Sequence, residues 1–442
     1  MELNGHRVIV VGLGKSGLAA ARLCQARGAR VIGTDTAPLE SLSPEATALG
    51  IELRAGGHDG VRFTEADLVV VSPGVPNFPA LELAERAGVE VIGELELAWR
   101  FLDASVVAVG GTNGKSTTTT LVGGLLKAAG REVFVGGNLG EPAANAVGKG
   151  FDAVVLEVSS FQLERAPLFR PEVSILLNVT EDHLDRYPSF SLYADAKGNA
   201  FVNQEPGDIA VVPFGDTLCE EQARRGRGEL LTFGRAGDYS VQGRAVVEAR
   251  SGEVFDLASS TLHGRHNLDN AAAAIAAVRA LDAGAPAIRD GLARFEPLPH
   301  RMAKVGELRG VTFYDDSKGT NVGAAVTALR GLSEARGVLI AGGRDKQGSY
   351  EPLVEAIRER ARAVVVLGEA AERIFGAIGG AVPVEHAVDI DDAVRRAFRL
   401  AERGDAVLLS PACSSFDMFK SYAERGDRFV AAFVRLEKEA SA

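Results

Sequence analysis

The chain has 442 residues, 46% hydrophobic and 24% charged, an ordinary balance for a globular protein with two or three domains of roughly 100–200 residues each. Its formal net charge of -11 disfavours a sequence-independent nucleic-acid binder, which presents a basic face to the phosphate backbone. Cys24, Cys219 and Cys413 are odd in number and far apart, which argues against a disulfide framework and a zinc site. No apolar run reaches the ~18 residues of a membrane span, and the start reads as a strand rather than a leader, so a cytoplasmic protein with reduced thiols is expected.

Strand-like and helical runs alternate from the start: RVIVVGLG, GLAAARLCQARG, ARVIGTD, ADLVVVSPG, VEVIGE. That alternation is the pattern of a parallel α/β sheet. Gly12, Gly14 and Gly17 form G-x-G-x-x-G between strand and helix, and Asp35 ends the second strand about 20 residues on, as a dinucleotide fingerprint would. The same glycines fit a tight turn that seats another phosphate, or none.

A second α/β unit opens with VAVGGTNGKSTTTTLV, residues Val107 to Val122. Val109 stands where the pattern G-x-x-x-x-G-K-[ST] has its outer glycine, leaving Gly111, Gly114, Lys115 and Ser116. Backbone N–H groups between Gly111 and Ser116 suit phosphate oxygens, Lys115 suits the β/γ charge, and the Ser116 hydroxyl suits Mg²⁺. A bare glycine turn with a solvated lysine is disfavoured, because strand, loop and helix all agree. FDAVVLEVSSFQLE then ends a strand at Glu157, and VSILLNVTEDHLDRY ends one near Asn178, before Asp182, His183 and Asp185. Ligands sit at the carboxyl ends of parallel strands, so Glu157 and His183 are expected near the same crevice, with Glu157 able to hold Mg²⁺. By itself His183 also fits an ordinary loop histidine, and Lys197 in SLYADAKGNAF reads as a solvated surface lysine. Residues 205–260 read as strands and turns, and the Ala-rich helix after HGRHNLDN opens with His266, Asn267 and Asn270, asparagines that suit helix caps.

Pro297 and Pro299 in FEPLPHRM suggest a linker, after which GVTFYDDS, GVLIAGG, AVVVLG and DAVLLSPACSS alternate with helices in another open parallel sheet. Its strand ends carry Asp316 and Lys318, Arg344 and Lys346, and Ser414 and Ser415, which suit a carboxylate-bearing ligand. Cys413 reads as a packing residue rather than a nucleophile.

A dehydrogenase has no use for Lys115 and Ser116, so the combination suggests a ligase. Through GLGKSG, SPGVP, GTNGKSTTT, GGNLG, LEVSSFQLE, NVTEDHLDRY, YADAK, HNLDN, LPHRM, DDSKGTN, GGRDK and SPACSSFDMFKSYAERGDRF, the chain resembles the Mur ligase family over its whole length. The last motif and GLGKSG with DT are similar to its D-glutamate-adding type. The resemblance implies an α/β fold of three domains: a Rossmann-like domain binding the UDP substrate (1–103), a central P-loop ATPase-like domain (104–297) and a C-terminal Rossmann-like amino-acid-binding domain (298–442). It implies ATP-dependent addition of D-glutamate to UDP-N-acetylmuramoyl-L-alanine through an acyl phosphate, for peptidoglycan precursors.

On that resemblance Gly14, Lys15, Ser16, Asp35, Thr36, Gly74 and Asn138 bind the UDP substrate. Gly111, Thr112, Asn113, Gly114, Lys115, Ser116, Thr117, Asn267, Asn270, Arg301 and Asp316 bind ATP, and Lys318, Thr320, Lys346, Ser414, Ser415 and Tyr422 bind D-glutamate. Two Mg²⁺ ions are implied, one on Ser116 and Glu157 and one on His183 and a carbamylated Lys197, with Lys115, Glu157, His183 and Lys197 as the catalytic set. Ala37 stands where some relatives carry Arg, removing a cationic contact to the nucleotide, and Tyr422 stands where Phe is common. No segment reads as an apolar docking stripe, so a monomer is expected. The rival readings are an NAD-dependent oxidoreductase, resting on the first fingerprint alone, and a non-catalytic nucleotide-binding regulator.

Overall fold

The computed structural model describes residues 1–441 apart from 184, 185, 263, 346 and 347. The chain divides into two compact units, the first made of Met1–Val179, Ser191–Ala258 and Asn270–Arg294, the second of Thr180–Phe190, Ser259–Asp269 and Phe295–Ala442.

The first unit holds two sheets. One has five parallel strands in the order Glu52–Ala55, Arg30–Asp35, Arg7–Val11, Leu68–Val71 and Glu90–Gly93. Val8 to Val11 and Leu68 to Val71 are buried along their whole length, as continuous apolar runs covered on both faces must be. The strand order reverses at Arg7–Val11, which leaves a crevice at its carboxyl end where Gly12 begins the turn into the helix Lys15–Ala26.

The other sheet has nine strands, with Ser105–Gly110 between Val173–Leu176 and Ala153–Glu157, and Val133–Gly137 at the edge beyond Ala153–Glu157. Their pairing is parallel and sets Val109 opposite Glu157 and Gly110 opposite Leu176, so three strand ends meet at one place. On the far side the sheet continues through Ile209–Pro213, Glu229–Gly234 and Tyr239–Gln242 to the antiparallel strands Ala245–Glu248 and Val254–Asp256. Within the stretch expected as strands and turns lies a helix, Thr217–Ala223, started by the Asp216 carboxylate accepting from the Cys219 N–H at 3.0 Å. One capping side chain begins a helix too short to show a period.

The two sheets of this unit share packing. A single buried cluster runs from Leu18 and Leu23 through Leu95 and Leu97 on the helix Glu94–Trp99 to Val154 and Leu156 of the nine-stranded sheet. Each such leucine contributes roughly 1.5–3 kcal/mol by leaving water.

The second unit holds six strands in the order Ala303–Leu308, Val311–Asp315, Ala406–Leu409, Gly337–Gly342, Ala361–Leu367 and Val384–His386. All pairs are parallel except the first, an edge hairpin that the alternation did not foretell. Its two-residue turn is Arg309 and Gly310, both at positive φ (52° and 79°), the backbone that matches strand twist in a tight hairpin. Apolar clusters cover both faces, and the C-terminal helix Tyr422–Ser441 lays Phe429 and Phe433 against Phe313. Among the described residues no helix is long and apolar enough to cross a membrane.

Candidate active site

The strand Ser105–Gly110 leads into a four-residue loop and the helix Lys115–Ala128. Val109 is fully buried and paired with Glu157, so it belongs to the strand and the loop begins only at Gly111. Gly111 and Gly114 have φ of 138° and 86°. A Cβ on Gly114 would also stand 2.5 Å from Asn270 Oδ1, so the turn into the helix admits only glycine. Asn270 is thus buried beside the loop in the second turn of the helix Arg265–Ala280 and is not its cap.

The loop is tied to the neighbouring strand end. Thr112 N–H donates to the Asn178 carbonyl at 2.9 Å, Asn113 N–H to Asn178 Oδ1 at 2.9 Å, and Asn178 Nδ2 to the Asn113 carbonyl at 3.0 Å. The first backbone bond inside the helix runs from Thr118 N–H to Gly114 C=O, and the N–H groups of the preceding turn, through Thr117, point out of the helix end. Lys115 Nζ donates to the Gly111 and Thr112 carbonyls at 3.0 and 2.9 Å.

Lys197 Nζ donates to the same Gly111 carbonyl at 2.8 Å. The residue is 4% exposed and its ammonium stands 4.6 Å above the Tyr193 ring, which corrects its reading as a solvated surface lysine. The helix Phe190–Gly198 buries Tyr193, Ala194, Ala196 and Lys197 together, and no charge pattern tells which lysine of a helix points inward.

Glu157 ends its strand against the loop. Ser116 Oγ donates a short hydrogen bond to Glu157 Oε2, and Asn138 Nδ2 donates to Oε1 at 2.7 Å. Glu157 and Ser116 are both buried. A carboxylate beside a hydroxyl offers hard oxygen ligands, which fits Mg²⁺. Among the described residues there is no group of three or more His, Cys, Asp and Glu that could hold a metal ion.

In the five-stranded sheet, Gly12 has φ 83° and its carbonyl accepts from Ser72 Oγ at 2.8 Å. A Cβ on Gly17 would overlap that same carbonyl, so the first helix packs close to the turn. Asp35 Oδ2 accepts from Leu13 N–H at 2.6 Å and Oδ1 from Ala37 N–H at 2.9 Å, so its carboxylate braces the glycine turn. That is not the free acidic group a dinucleotide ribose takes in the fingerprint. Gly14 caps the helix, Lys15 and Ser16 form its first turn, and Gly14, Lys15, Thr36 and Gly74 are exposed.

In the second unit three loops converge. Asp316 N–H donates to Leu409 C=O, Gly342 N–H to Pro411 C=O and Ala412 N–H to Gly319 C=O, at 2.8 to 2.9 Å. Arg344 N–H donates to Ser414 C=O at 2.8 Å. Lys318 Nζ lies 4.1 Å over the Tyr422 ring, and Thr320 N–H donates to Lys318 C=O at 2.7 Å. Ser415 is buried, and Lys346 lies outside the described residues, as does Asp185. Asp316 accepts from Ser410 Oγ at 2.7 Å and from Met302 N–H at 3.2 Å. Burial pushes its carboxyl up to about 7, opposed by the Ser410 bond and by Arg301.

His183 has φ 56° and takes an Asp182 Oδ1 bond on its N–H at 3.0 Å, while Asp182 Oδ2 accepts from Asn321 Nδ2 at 3.1 Å. Asn267 N–H donates to Gly264 C=O at 3.1 Å in the first turn of its helix.

Sequence reasoning gave no role to Asn178, His300 or Arg425. His300, at φ 61°, pairs Nδ1 with Asp315 Oδ2 at 2.6 Å. Arg425 is 2% exposed and donates to Ser317 Oγ and to the carbonyls of Ser317, Cys413 and Ser414 at 2.8 to 3.4 Å. Burial lowers its guanidinium to about 10. The only signal for these residues was their place inside NVTEDHLDRY, LPHRM and SYAERGDRF.

Three family models match the chain: "Mur ligase MurD-like, N-terminal domain" over residues 6–93, "Mur ligase middle domain" over 109–278 and "Mur ligase, glutamate ligase domain" over 300–413. The UDP-N-acetylmuramoylalanine–D-glutamate ligase of Geotalea daltonii is 45% identical over 446 residues, covering 98% of each chain. The enzyme of the same name from Desulfosudis oleivorans is 46% identical over 99% of this chain and 98% of its own. Among solved structures, MurF ligase from Thermotoga maritima in complex with ADP superposes with a TM-score of 0.63 at 21% identity, covering 100% of this chain and 96% of that one. UDP-N-acetylmuramate-alanine ligase MurC from Thermotoga maritima gives 0.61 at 20% identity, covering 97% and 99%. These two likenesses concern the fold. With its full length matched by relatives at this identity and by models of all three parts, the chain belongs to the Mur ligase family.

Proposed function

We propose that the protein is an ATP-dependent amide-forming ligase that adds D-glutamate to UDP-N-acetylmuramoyl-L-alanine in cytoplasmic peptidoglycan precursor synthesis. The observation that carries this reading is the bond from the P-loop hydroxyl of Ser116 to the buried carboxylate of Glu157, a pair that phosphoryl transfer uses and hydride transfer does not. Relatives named for this reaction at 45–46% identity support the choice of substrates.

ATP is assigned to Gly111–Thr117, Asn267, Asn270, Arg301 and Asp316. Ser116 and Glu157 would hold one Mg²⁺, which when bound offsets charge on the phosphates. His183 and a carbamylated Lys197 are assigned to a second. Lys115 then lies over the loop where the γ-phosphate charge builds, and lowers the repulsion between it and the incoming alanyl carboxylate. That carboxylate oxygen attacks the γ-phosphorus and ADP leaves, giving an acyl phosphate. The D-glutamate amine attacks its carbonyl carbon, a proton leaves the nitrogen, and phosphate departs as the amide forms.

The UDP part is assigned to the turn of Gly14, Lys15 and Ser16, which Asp35 braces, and to Thr36, with Gly74 and Asn138 along the sugar. D-glutamate is assigned to Lys318, Thr320, Lys346, Ser414, Ser415 and Tyr422. The domain boundaries are read as 1–103, 104–297 and 298–442, and the protein as a monomer.

The test is phosphate release from Mg-ATP and UDP-N-acetylmuramoyl-L-alanine, with D-glutamate, L-glutamate and meso-diaminopimelate in parallel. Release with D-glutamate alone is expected. Release with none of them, in protein that binds ATP, would sink the ligase reading.

A further inference from the structure

We infer that Asn178 is a positioning residue of the phosphate loop: its carboxamide grips both the N–H and the C=O of Asn113 and so leaves the helix end, rather than the loop, to face the phosphates. The inference rests on the assignment of this loop to ATP.

With a valine in place of the outer glycine, the loop is short and keeps its strand partner longer. Leu177 N–H donates to Gly110 C=O at 3.2 Å and Thr112 N–H to Asn178 C=O at 2.9 Å, so backbone pairing runs past the ends of both strands. A Cβ on Gly111 would stand 3.1 Å from Leu177 Cβ, which shows how closely the two chains run there. At Asn113 the main chain must leave this ladder to reach the helix. There the Asn178 side chain replaces the missing partner, accepting from Asn113 N–H at 2.9 Å and donating to Asn113 C=O at 3.0 Å.

Two consequences follow for an anion bound at the helix end. The donating end of the carboxamide holds the Asn113 carbonyl, a partial negative charge, away from the phosphates. The accepting end engages the Asn113 N–H, so the cradle consists of Gly114 to Thr117 at the helix N-terminus, where the dipole already favours negative charge. Aspartate is the same size but cannot donate, and alanine does neither, so only a primary amide at this reach serves both groups.

The experiment is calorimetric titration of the full-length protein with ADP in the presence of Mg²⁺, for wild type, N178A and N178D, with UDP-N-acetylmuramoyl-L-alanine binding and thermal midpoint measured alongside. N178A is expected to bind ADP about tenfold more weakly, the effect of one or two hydrogen bonds lost. N178D is expected to bind more weakly still, because it sets a carboxylate oxygen against the Asn113 carbonyl and adds a charge near the phosphates, and part of its loss is expected to recover at high salt. In turnover the KM for ATP rises while the KM for D-glutamate stays. Because N178D keeps the side-chain shape, it carries the test if N178A does not fold. ADP affinity within twofold of wild type in both variants would overturn the inference, as would an equal loss of affinity for the UDP substrate, which marks a general loosening. Wild-type protein that binds no ADP would overturn the ligase reading, and this inference with it.

Discussion

Glu157 accepts from Ser116 on one oxygen and Asn138 on the other, which makes it the meeting point of the P-loop and the GGNLG loop. Glu157→Gln keeps the shape and one acceptor while removing the charge that suits a metal. Phosphate release is expected to fall at least ~100-fold, a loss typical of one electrostatic partner in a preorganised site, with the thermal midpoint little changed. Equal turnover in the two proteins would remove Glu157 from the site. Asp35 makes a different point, because the sequence places it where a dinucleotide fingerprint has its acidic residue, yet its two oxygens brace backbone N–H groups of Leu13 and Ala37. Asp35→Ala is expected to raise the KM for UDP-N-acetylmuramoyl-L-alanine roughly tenfold through loss of two hydrogen bonds that shape the turn, with the KM for ATP unchanged. Steady-state kinetics with each substrate varied separately decides it.

At the scale of elements, period and punctuation made the alternating strands and helices legible, and the glycine turns marked which strand ends carry a site. What stayed hidden needed a third dimension. The inward aim of Lys197 depends on which face of its helix meets the loop, and the Arg309–Gly310 hairpin depends on two positive φ values rather than on composition. Asn178 and Arg425 sit in quoted motifs, but their work is done on main-chain atoms of distant residues, which no side-chain pattern records. Arg425 joins the C-terminal helix to the loops of Ser317, Cys413 and Ser414. Arg425→Met fills the volume but leaves buried carbonyls without a donor, and is expected to cost about 2–4 kcal/mol. Urea unfolding followed by circular dichroism should show a lower midpoint with the slope unchanged; a midpoint equal to wild type would mean that water replaces the guanidinium.

Across the whole molecule, a buried acid ties the five-stranded sheet to the segment that follows the GGNLG loop. Glu94, 1% exposed and first in the helix that follows strand Glu90–Gly93, accepts from Ala144 N–H at 2.6 Å through Oε1, and its Oε2 is buried with no hydrogen-bond partner among the described residues. Burial pushes its carboxyl up from the usual value to about 7, against the smaller opposite effect of the Ala144 bond. The folded protein therefore holds this proton over a range in which the unfolded chain has released it. The corresponding stability is fully present below pH 4.5, the ordinary value, and is lost as pH rises through about 7. Its size is on the order of 3 kcal/mol, a large share of the stability of most domains. Glu94→Gln keeps an oxygen for Ala144 and has no proton to lose. Its thermal midpoint is expected to match wild type within a few degrees at pH 5, and to exceed it by several degrees at pH 8.5, where wild type must either bury a charge or open the contact. Scanning calorimetry at the two pH values separates this from a packing effect, since a gap of the same size at both would mean that Glu94 does not titrate in the folded state and that its burial costs the same whatever its proton does.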